Sequence, residues 1–180
     1  MKELQTIKNL IFNSNIHQSI ELAASFMRDI NASDYYDLNV TIIEKALIEK
    51  IIETNDISLE EEEEACEEVL FVISEGYATG GHTRLMENLS QMIPSKPIIL
   101  ITRPTEQIVI TRFEKYFEEI ITCFKDKNKD DFNYINSLAK EIVKYKKVIL
   151  NTHPDDLHTI IACGIAKKLN NYLKIYFVAN

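Results

Sequence analysis

Apolar residues are spaced in two different ways along this chain, helical in the first third and strand-like afterwards. They recur at steps of three and four over residues 16–30 and again over residues 42–51, as on the buried face of an amphipathic helix. Short helices with one apolar face are not stable alone in water. We therefore predict a helical N-terminal segment, residues 1–56, whose helices pack on each other and on the domain that follows.

Short continuous apolar runs then alternate with amphipathic stretches. The runs are residues 69–73, 98–101, 148–150 and 174–178. Helical spacing is found over residues 82–92, 135–143 and 157–169. Continuous apolar strands need cover on both faces, which a parallel sheet with helical crossovers provides. The pattern predicts that residues 57–180 form a doubly wound, parallel Rossmann-like α/β domain with strand order 3-2-1-4-5.

Two parts of the pattern need separate interpretation. Residues 108–110 and 120–124 each fit a strand, with a short helix between them, so the number of strands in residues 105–128 is open. Five glutamates precede the first apolar run, and Ser58 with Glu61 fits a capping box. We predict that this acidic run is the solvated start of a helix rather than a site for a metal or a basic partner.

The balance of charge narrows the classes of function. The chain has 20 Lys and Arg against 28 Asp and Glu, a formal charge of −8, which argues against nonspecific binding to nucleic acid or to anionic membrane. Its three cysteines are scattered and have no CxxC spacing, as is typical of reduced thiols. Neither a signal peptide nor a membrane span is indicated. We predict a cytoplasmic protein with no nucleic-acid partner.

A loop of small residues joins the first apolar run to a helical pattern. It contains Thr79, Gly80 and Gly81, and the helical stretch begins with His82 and Arg84. Glycine lets the backbone take positive φ and approach a ligand closely, and the first N–H groups of a helix have no intrahelical partner. We predict an anion-binding turn at these five residues. The alternatives are a tight turn without a ligand, an exposed imidazole and an arginine paired within its own helix.

The sequence His-Pro-Asp-Asp, residues 153–156, follows the third apolar run. In the predicted strand order this run neighbours the first one, so their carboxyl-end loops face each other at the switch point, where such sheets bind ligands. Arg103 follows the second run on the same rim and points to anion recognition. Asp155 or Asp156 is well placed to cap the next helix, which leaves the other aspartate and His153 for function.

The two loops resemble parts of GT-B glycosyltransferases. Residues 71–89 look like the family's first strand, glycine loop and helix, in which a Gly-Gly loop precedes a helix ending in Glu-x-Leu. Residues 148–153 look like the family's later strand, which ends in a histidine facing the interdomain cleft. The resemblance covers residues 69–180 and implies the N-terminal, acceptor-side domain of such an enzyme.

The resemblance implies a set of roles. Gly80 and Gly81 would border the donor diphosphate, and His153 would touch the sugar or the reacting hydroxyl as a general base. The substrate- and phosphate-binding candidates are then Thr79, Gly80, Gly81, His82, Arg84, Arg103, Asp155 and Asp156. The implied partners are a nucleotide-sugar donor and a glycan or other hydroxyl acceptor, without a cofactor. Because a GT-B enzyme needs a second nucleotide-binding domain, a further C-terminal domain or partner chain is implied, and this chain alone should not transfer sugar.

A second resemblance is local. Residues 148–164 are similar to the His-Pro-Asp-Asp-Glu zinc motif of PIG-L-type N-acetylglucosaminyl deacetylases, in which the histidine and an acidic residue bind zinc and an aspartate acts as base. Here Leu157 stands at the Glu position, which removes an expected ligand. Because the motif matches only in part, a zinc-dependent hydrolase is the alternative to the glycosyltransferase. A non-catalytic interaction module is the third possible function. We predict no bound metal.

Overall fold

A five-stranded parallel sheet forms the centre of the protein. A computed structural model describes residues 2–31, 41–54, 66–126 and 130–178. The strands are β1 (Cys66–Ile73), β2 (Ile98–Ile101), β3 (Glu119–Thr122), β4 (Tyr145–Asn151) and β5 (Lys174–Phe177). They pair in the order β3-β2-β1-β4-β5, all in parallel, which confirms the predicted fold class and strand order.

Seven helices are present in the described residues. They are α1 (Lys2–Asn13), α2 (Ile16–Asn31), α3 (Thr41–Thr54), α4 (Gly81–Ser90), α5 (Gln107–Phe113), α6 (Asp131–Ile142) and α7 (Leu157–Leu169). Residues 108–110 lie in α5, so residues 105–126, the described part of the stretch that the sequence left open, contain one strand, β3. The predicted capping box, the acidic run and the boundary at residue 56 lie outside the described residues. No described helix is long and apolar enough to span a membrane.

Alternate residues of β1, β2, β3 and β4 contact two separate hydrophobic cores. Leu70 and Val72 of β1 belong to a core that also contains buried side chains of α1, α2, α3, α6 and α7. Phe71 and Ile73 belong to a second core, under α4 and α5. The helices of residues 2–31 and 41–54 therefore share one core with the sheet. Gly164 of α7 permits close contact with α3, because a Cβ added there would overlap Ile48.

The connections after β1 and β4 define where a ligand can bind. The two strands are neighbours, and their last residues, Ile73 and Asn151, are Cα partners. β1 leads into α4 on one face of the sheet, whereas β4 leads into α7 on the other. A doubly wound sheet opens a crevice at such a switch point, outside the carboxyl ends of the strands.

Candidate functional site

The loops after β1 and β4 lie side by side at the carboxyl edge of the sheet. His82, in the first turn of α4, places its Nδ1 2.9 Å from Oδ1 of Asn151, the last residue of β4. The ring centroids of His82 and His153 are 5.9 Å apart. The structure thus brings together two histidines that are 71 positions apart in the sequence, as the strand order predicted for their loops.

Three neighbours hold His153 at this edge. Its backbone N–H donates to Oγ of Ser74 over 2.9 Å, and its Nε2 lies 3.2 Å from Oε1 of Glu75. Its ring meets the ring of Tyr77 edge-on, with centroids 6.3 Å apart. Within the described residues, Nδ1 of His153 has no hydrogen-bond partner. The half-buried imidazole is therefore fixed by a carboxylate on one side and available on the other.

Sequence reasoning did not identify Glu75 and Tyr77. The Tyr77 hydroxyl donates to the Glu75 oxygen that faces His153, and this hydrogen bond is the main cause that raises the pKa of Tyr77. The signal that could have found them is their position, because both follow β1 directly at the carboxyl edge.

Gly80 and Gly81 have ordinary backbone conformations, so the expectation of positive φ is wrong. Gly80 is extended (φ −79°, ψ 144°) and is the N-cap of α4, without a side-chain cap. A Cβ added at Gly80 would lie 2.9 Å from Cβ of Tyr77, whereas one at Gly81 would meet nothing within 4 Å. Contact with Tyr77, and not a left-handed backbone, is what requires glycine at position 80.

The two glycines should respond differently to alanine. Gly80→Ala should lower the free energy of unfolding by about 1–2 kcal/mol, because the new methyl group forces Tyr77 and its loop to move. Gly81→Ala should be neutral or slightly stabilising, since alanine favours the helix and has open space. Urea unfolding of both variants measures the difference. Equal losses of stability would contradict this account of the loop.

The first turn of α4 leaves backbone N–H groups unpaired. The Thr83 hydroxyl accepts from the N–H of Tyr77 over 2.8 Å, so it closes the loop and does not cap the helix. The N–H of Arg84 donates to the Gly80 carbonyl, and in the described part of the chain the N–H groups of residues 81–83 have no partner. Such a helix start can bind an anion.

Two arginines near the glycine loop have different surroundings. Arg84 is exposed and makes no ion pair with any described residue. Glu87, the partner that helical spacing offers it, lies instead 2.6 Å from Arg112 of α5. Arg112 also donates to the carbonyl of Ala78 over 2.8 Å. Arg112, which the sequence did not single out, therefore braces the loop, while Arg84 faces solvent.

Asp156 joins three segments of the sheet edge from the inside. It is the N-cap of α7 and accepts from the N–H of Thr159, the capping role predicted for one of the two aspartates. The hydroxyls of Ser74, after β1, and Thr102, after β2, donate to its Oδ2 over 2.7 and 2.9 Å. Only 3% of the residue is exposed. The structure gives this carboxylate a structural role, and its predicted contact with substrate stays a prediction.

Arg103 and Asp155 face α2. Nη2 of Arg103 donates to Oδ1 of Asp155 over 3.2 Å, and Nη1 of Arg28 lies 3.4 Å from Oδ2. Burial alone would raise the pKa of Asp155, but the two guanidinium groups hold it below its ordinary value. Arg103 thus has a carboxylate partner within the chain, and anion binding by this residue stays a prediction.

A polar cavity of about 270 Å³ lies beside this pair, between α2 and the carboxyl edge. Its lining includes Arg103, Lys125 and His158. Lys125 and His158 both contact Asp131, the first residue of α6, and His158 does so through Nε2 at 2.6 Å. Nδ1 of His17 lies 2.7 Å from the other oxygen of Asp131. This cluster connects α2, α6 and α7.

Asp131 should contribute stability that depends on pH. Burial raises its pKa, but hydrogen bonds from Lys125, His158 and His17 outweigh that effect and lower the pKa from 3.8 to about 2. The contribution is present above pH 4 and is lost as the pH falls towards 2. Asp131→Asn should therefore cost about 1–2 kcal/mol at neutral pH and very little near pH 2.

Urea unfolding of both proteins across this pH range measures the difference. Glu114→Gln, at an exposed carboxylate, is the control and should have little effect at any pH. A cost of Asp131→Asn that does not change with pH would contradict the assigned ion pairs.

The His-Pro-Asp-Asp sequence does not form a set of zinc ligands. The Asp156 carboxylate accepts from two hydroxyls, and the Asp155 carboxylate pairs with Arg103 and Arg28, so neither joins His153. In residues 2–31, 41–54, 66–126 and 130–178, no group of three or more His, Cys, Asp or Glu side chains is placed to hold a metal. These donors do not fit a tetrahedral zinc site.

No protein-family model matches the chain, and no curated protein matches it. The chemistry of the carboxyl edge therefore has to be judged from its residues. Glu75 and His153 form a carboxylate–imidazole pair, and an imidazole held in this way can act as a general base. Beside them, α4 begins with unpaired N–H groups that can bind an anion. A proton acceptor next to an anion site suits the transfer of a group to a hydroxyl, with a phosphate as the leaving group.

Proposed function

We propose that residues 57–180 are the acceptor-side half of a cytoplasmic GT-B-type glycosyltransferase, which transfers a sugar from a nucleotide-sugar to a hydroxyl acceptor. The observation that supports this function is the placement of His153 at the switch point, with Glu75 3.2 Å from its Nε2 and the His82 ring beside it. Switch-point crevices are where doubly wound sheets bind ligands.

His153 acts as the general base in this proposal. Its Nδ1 takes the proton of the acceptor hydroxyl while that oxygen attacks the anomeric carbon, and the bond to the nucleoside diphosphate breaks with its electrons on the leaving phosphate. Glu75 orients the ring and stabilises the imidazolium that forms. The start of α4, at Gly80 and Gly81, stabilises the negative charge of the departing diphosphate.

The nucleotide itself is bound elsewhere in this proposal. A GT-B enzyme holds the nucleotide on a second Rossmann-like domain, which here is a further C-terminal domain or a partner chain. The carboxyl edge described above supplies the base and one wall of the cleft. The isolated chain is therefore expected to bind a glycan or nucleotide-sugar weakly and to transfer no sugar.

Calorimetric titration of the purified chain with nucleotide-sugars and with oligosaccharides tests the proposal. Saturable binding that Gly81→Asp weakens would support it, because the new carboxylate repels the diphosphate at the start of α4. Gly81→Ala is the matched control and should leave binding largely intact, since its methyl group has open space. One equivalent of zinc together with release of acetate from N-acetyl sugars would replace the proposal with a zinc hydrolase. No ligand and no metal would favour an interaction module.

A further inference from the structure

Asn151 has two hydrogen-bonding neighbours, and together they fix the orientation of its side-chain amide. Its Nδ2 donates to the carbonyl of Val178 over 2.8 Å, and its Oδ1 lies 2.9 Å from Nδ1 of His82. The Val178 backbone is held in place because its N–H donates to the Leu150 carbonyl over 2.9 Å. A carbonyl oxygen can only accept, so the amide nitrogen must face Val178 and the amide oxygen must face His82.

This orientation determines which nitrogen of the neutral His82 ring carries the proton. The Asn151 oxygen can only accept, so Nδ1 of His82 has to donate to it. The other nitrogen, Nε2, then has a free lone pair and acts only as an acceptor. Asn151 is 7% exposed, so little water reaches the amide to compete for these hydrogen bonds.

The lone pair on Nε2 of His82 is available to a ligand. No other described residue makes a hydrogen bond to this half-buried ring, which lies beside the ring of His153. The backbone N–H groups of residues 81–83 in the same helical turn are also unpaired within the described part of the chain. The start of α4 therefore offers two kinds of group, backbone N–H donors and one imidazole acceptor.

These two kinds of group recognise different parts of a ligand. The backbone N–H groups favour phosphate oxygens. The lone pair on Nε2 repels a fully ionised phosphate, which has only acceptors, and attracts a hydroxyl, which can donate. A ligand with a hydroxyl close to a phosphate satisfies both, and a sugar joined to a diphosphate has this chemistry. The imidazole of His82 is thus matched to the hydroxyl and not to the phosphate.

We propose that Asn151 is a positioning residue, which keeps the neutral His82 ring protonated on Nδ1 so that Nε2 accepts a hydrogen bond from a hydroxyl of the donor sugar. The sugar is named on the strength of the proposed function, whereas the state of His82 follows from its contacts alone. His153 remains the base of the reaction, with its own Nε2 held by Glu75. The two neighbouring imidazoles are therefore oriented by different groups, an amide oxygen and a carboxylate.

Nitrogen-15 NMR of the full chain, labelled at histidine, tests the role of Asn151 at high pH, where imidazole rings are neutral. His82 should carry its proton on Nδ1, and His158, whose Nε2 lies 2.6 Å from Asp131, should carry its proton on Nε2. Asn151→Leu should abolish the preference of His82, whereas Asn151→Asp, which keeps an acceptor facing Nδ1, should retain it. Asn88→Leu, the same substitution at an exposed residue of α4, is the control and should leave both rings unchanged.

Titration with the uridine diphosphate derivatives of glucose, galactose and N-acetylglucosamine, followed in the same spectra, tests the hydroxyl contact. Binding of a nucleotide-sugar should shift the Nε2 signal of His82, whereas uridine diphosphate, which lacks the sugar, should leave this signal unchanged. Asn151→Leu should weaken binding of the nucleotide-sugar by about fivefold, the loss of one hydrogen bond. The same variant should bind uridine diphosphate like the wild type.

Each part of the proposal can fail separately. A proton on Nε2 of His82 in the wild type, or an unchanged tautomer in Asn151→Leu, would overturn the role of Asn151. An equal shift of the Nε2 signal by uridine diphosphate would assign the imidazole to the phosphate and overturn the hydroxyl contact. If no nucleotide-sugar binds while His82 keeps its proton on Nδ1, the sugar contact falls with the proposed function and the role of Asn151 stands. Thermal unfolding of the variants checks that each remains folded.

Discussion

Replacing Asp156 with alanine is expected to lower the free energy of unfolding by about 3 kcal/mol, the largest effect on stability that we predict for a single residue. The change removes the N-cap of α7, leaves the buried Ser74 hydroxyl without its acceptor, and leaves the Thr102 hydroxyl only the Ile73 carbonyl, 3.3 Å away. Each lost interaction lowers the free energy of unfolding because water cannot reach the site to replace it. The loop carrying His153 should also lose its anchor, since the Ser74 hydroxyl accepts from the His153 N–H.

Asp155→Ala is the matched control for this prediction. Asp155 is next in the sequence and also carries a carboxylate, but its side chain is 27% exposed and its ion pairs with Arg103 and Arg28 lie near the surface. Such pairs contribute at most about 1 kcal/mol. Urea unfolding of both variants measures the difference, and equal destabilisation by the two would show that the buried network at Asp156 has been misassigned.

Replacing His153 with alanine is expected to lower turnover of the complete enzyme by about 10²–10⁴-fold, the usual contribution of a general base. The fold should be unaffected, because the anchoring contact of this residue is its backbone N–H, which the variant keeps. Glu75→Gln should lower turnover by a smaller factor, since it removes only the charge that stabilises the imidazolium. His17→Ala, at an exposed histidine on the other face, is the control and should have wild-type turnover.

Steady-state release of the nucleoside diphosphate measures these effects, with a circular dichroism spectrum to verify the fold. Wild-type turnover in His153→Ala would remove this residue from the mechanism. A loss as large in His17→Ala would show that the effect comes from stability and not from chemistry.

Much of the fold could be predicted because it follows from the local pattern of apolar residues. The apolar runs at β1, β2 and β4 are continuous, which only a sheet covered on both faces accommodates, and alternation with helices then gives the strand order. That order alone placed His82 near His153. By contrast, residues 108–110 fit a strand as well as a helix, because a short apolar run has no decisive period. These residues form the helix α5, in which Val109 packs into the second core against the sheet.

The details of the site could not be predicted because they depend on contacts between distant segments. The Asp156 network joins residues after three different strands, and nothing in the local sequence of Ser74 or Thr102 distinguishes them from surface hydroxyl residues. Glycine is required at position 80 because the Tyr77 side chain leaves no room for a Cβ. The sequence instead suggested a positive φ, which the backbone does not have. Glu75 can be recognised as a candidate site residue only from the short distance between its carboxylate and His153.

The four histidines of the chain allow the most direct test of the carboxyl edge as a sugar-transfer site. His82 and His153 lie at the crevice, whereas the exposed His17 of α2 contacts Asp131 and serves as the internal control. The measurement is the NMR spectrum of the imidazole rings during titration with nucleotide-sugars and oligosaccharides. We predict saturable shifts of the His82 and His153 signals, with the His17 signal unchanged. Unchanged signals from His82 and His153, or an equal shift of the His17 signal, would contradict the proposed function.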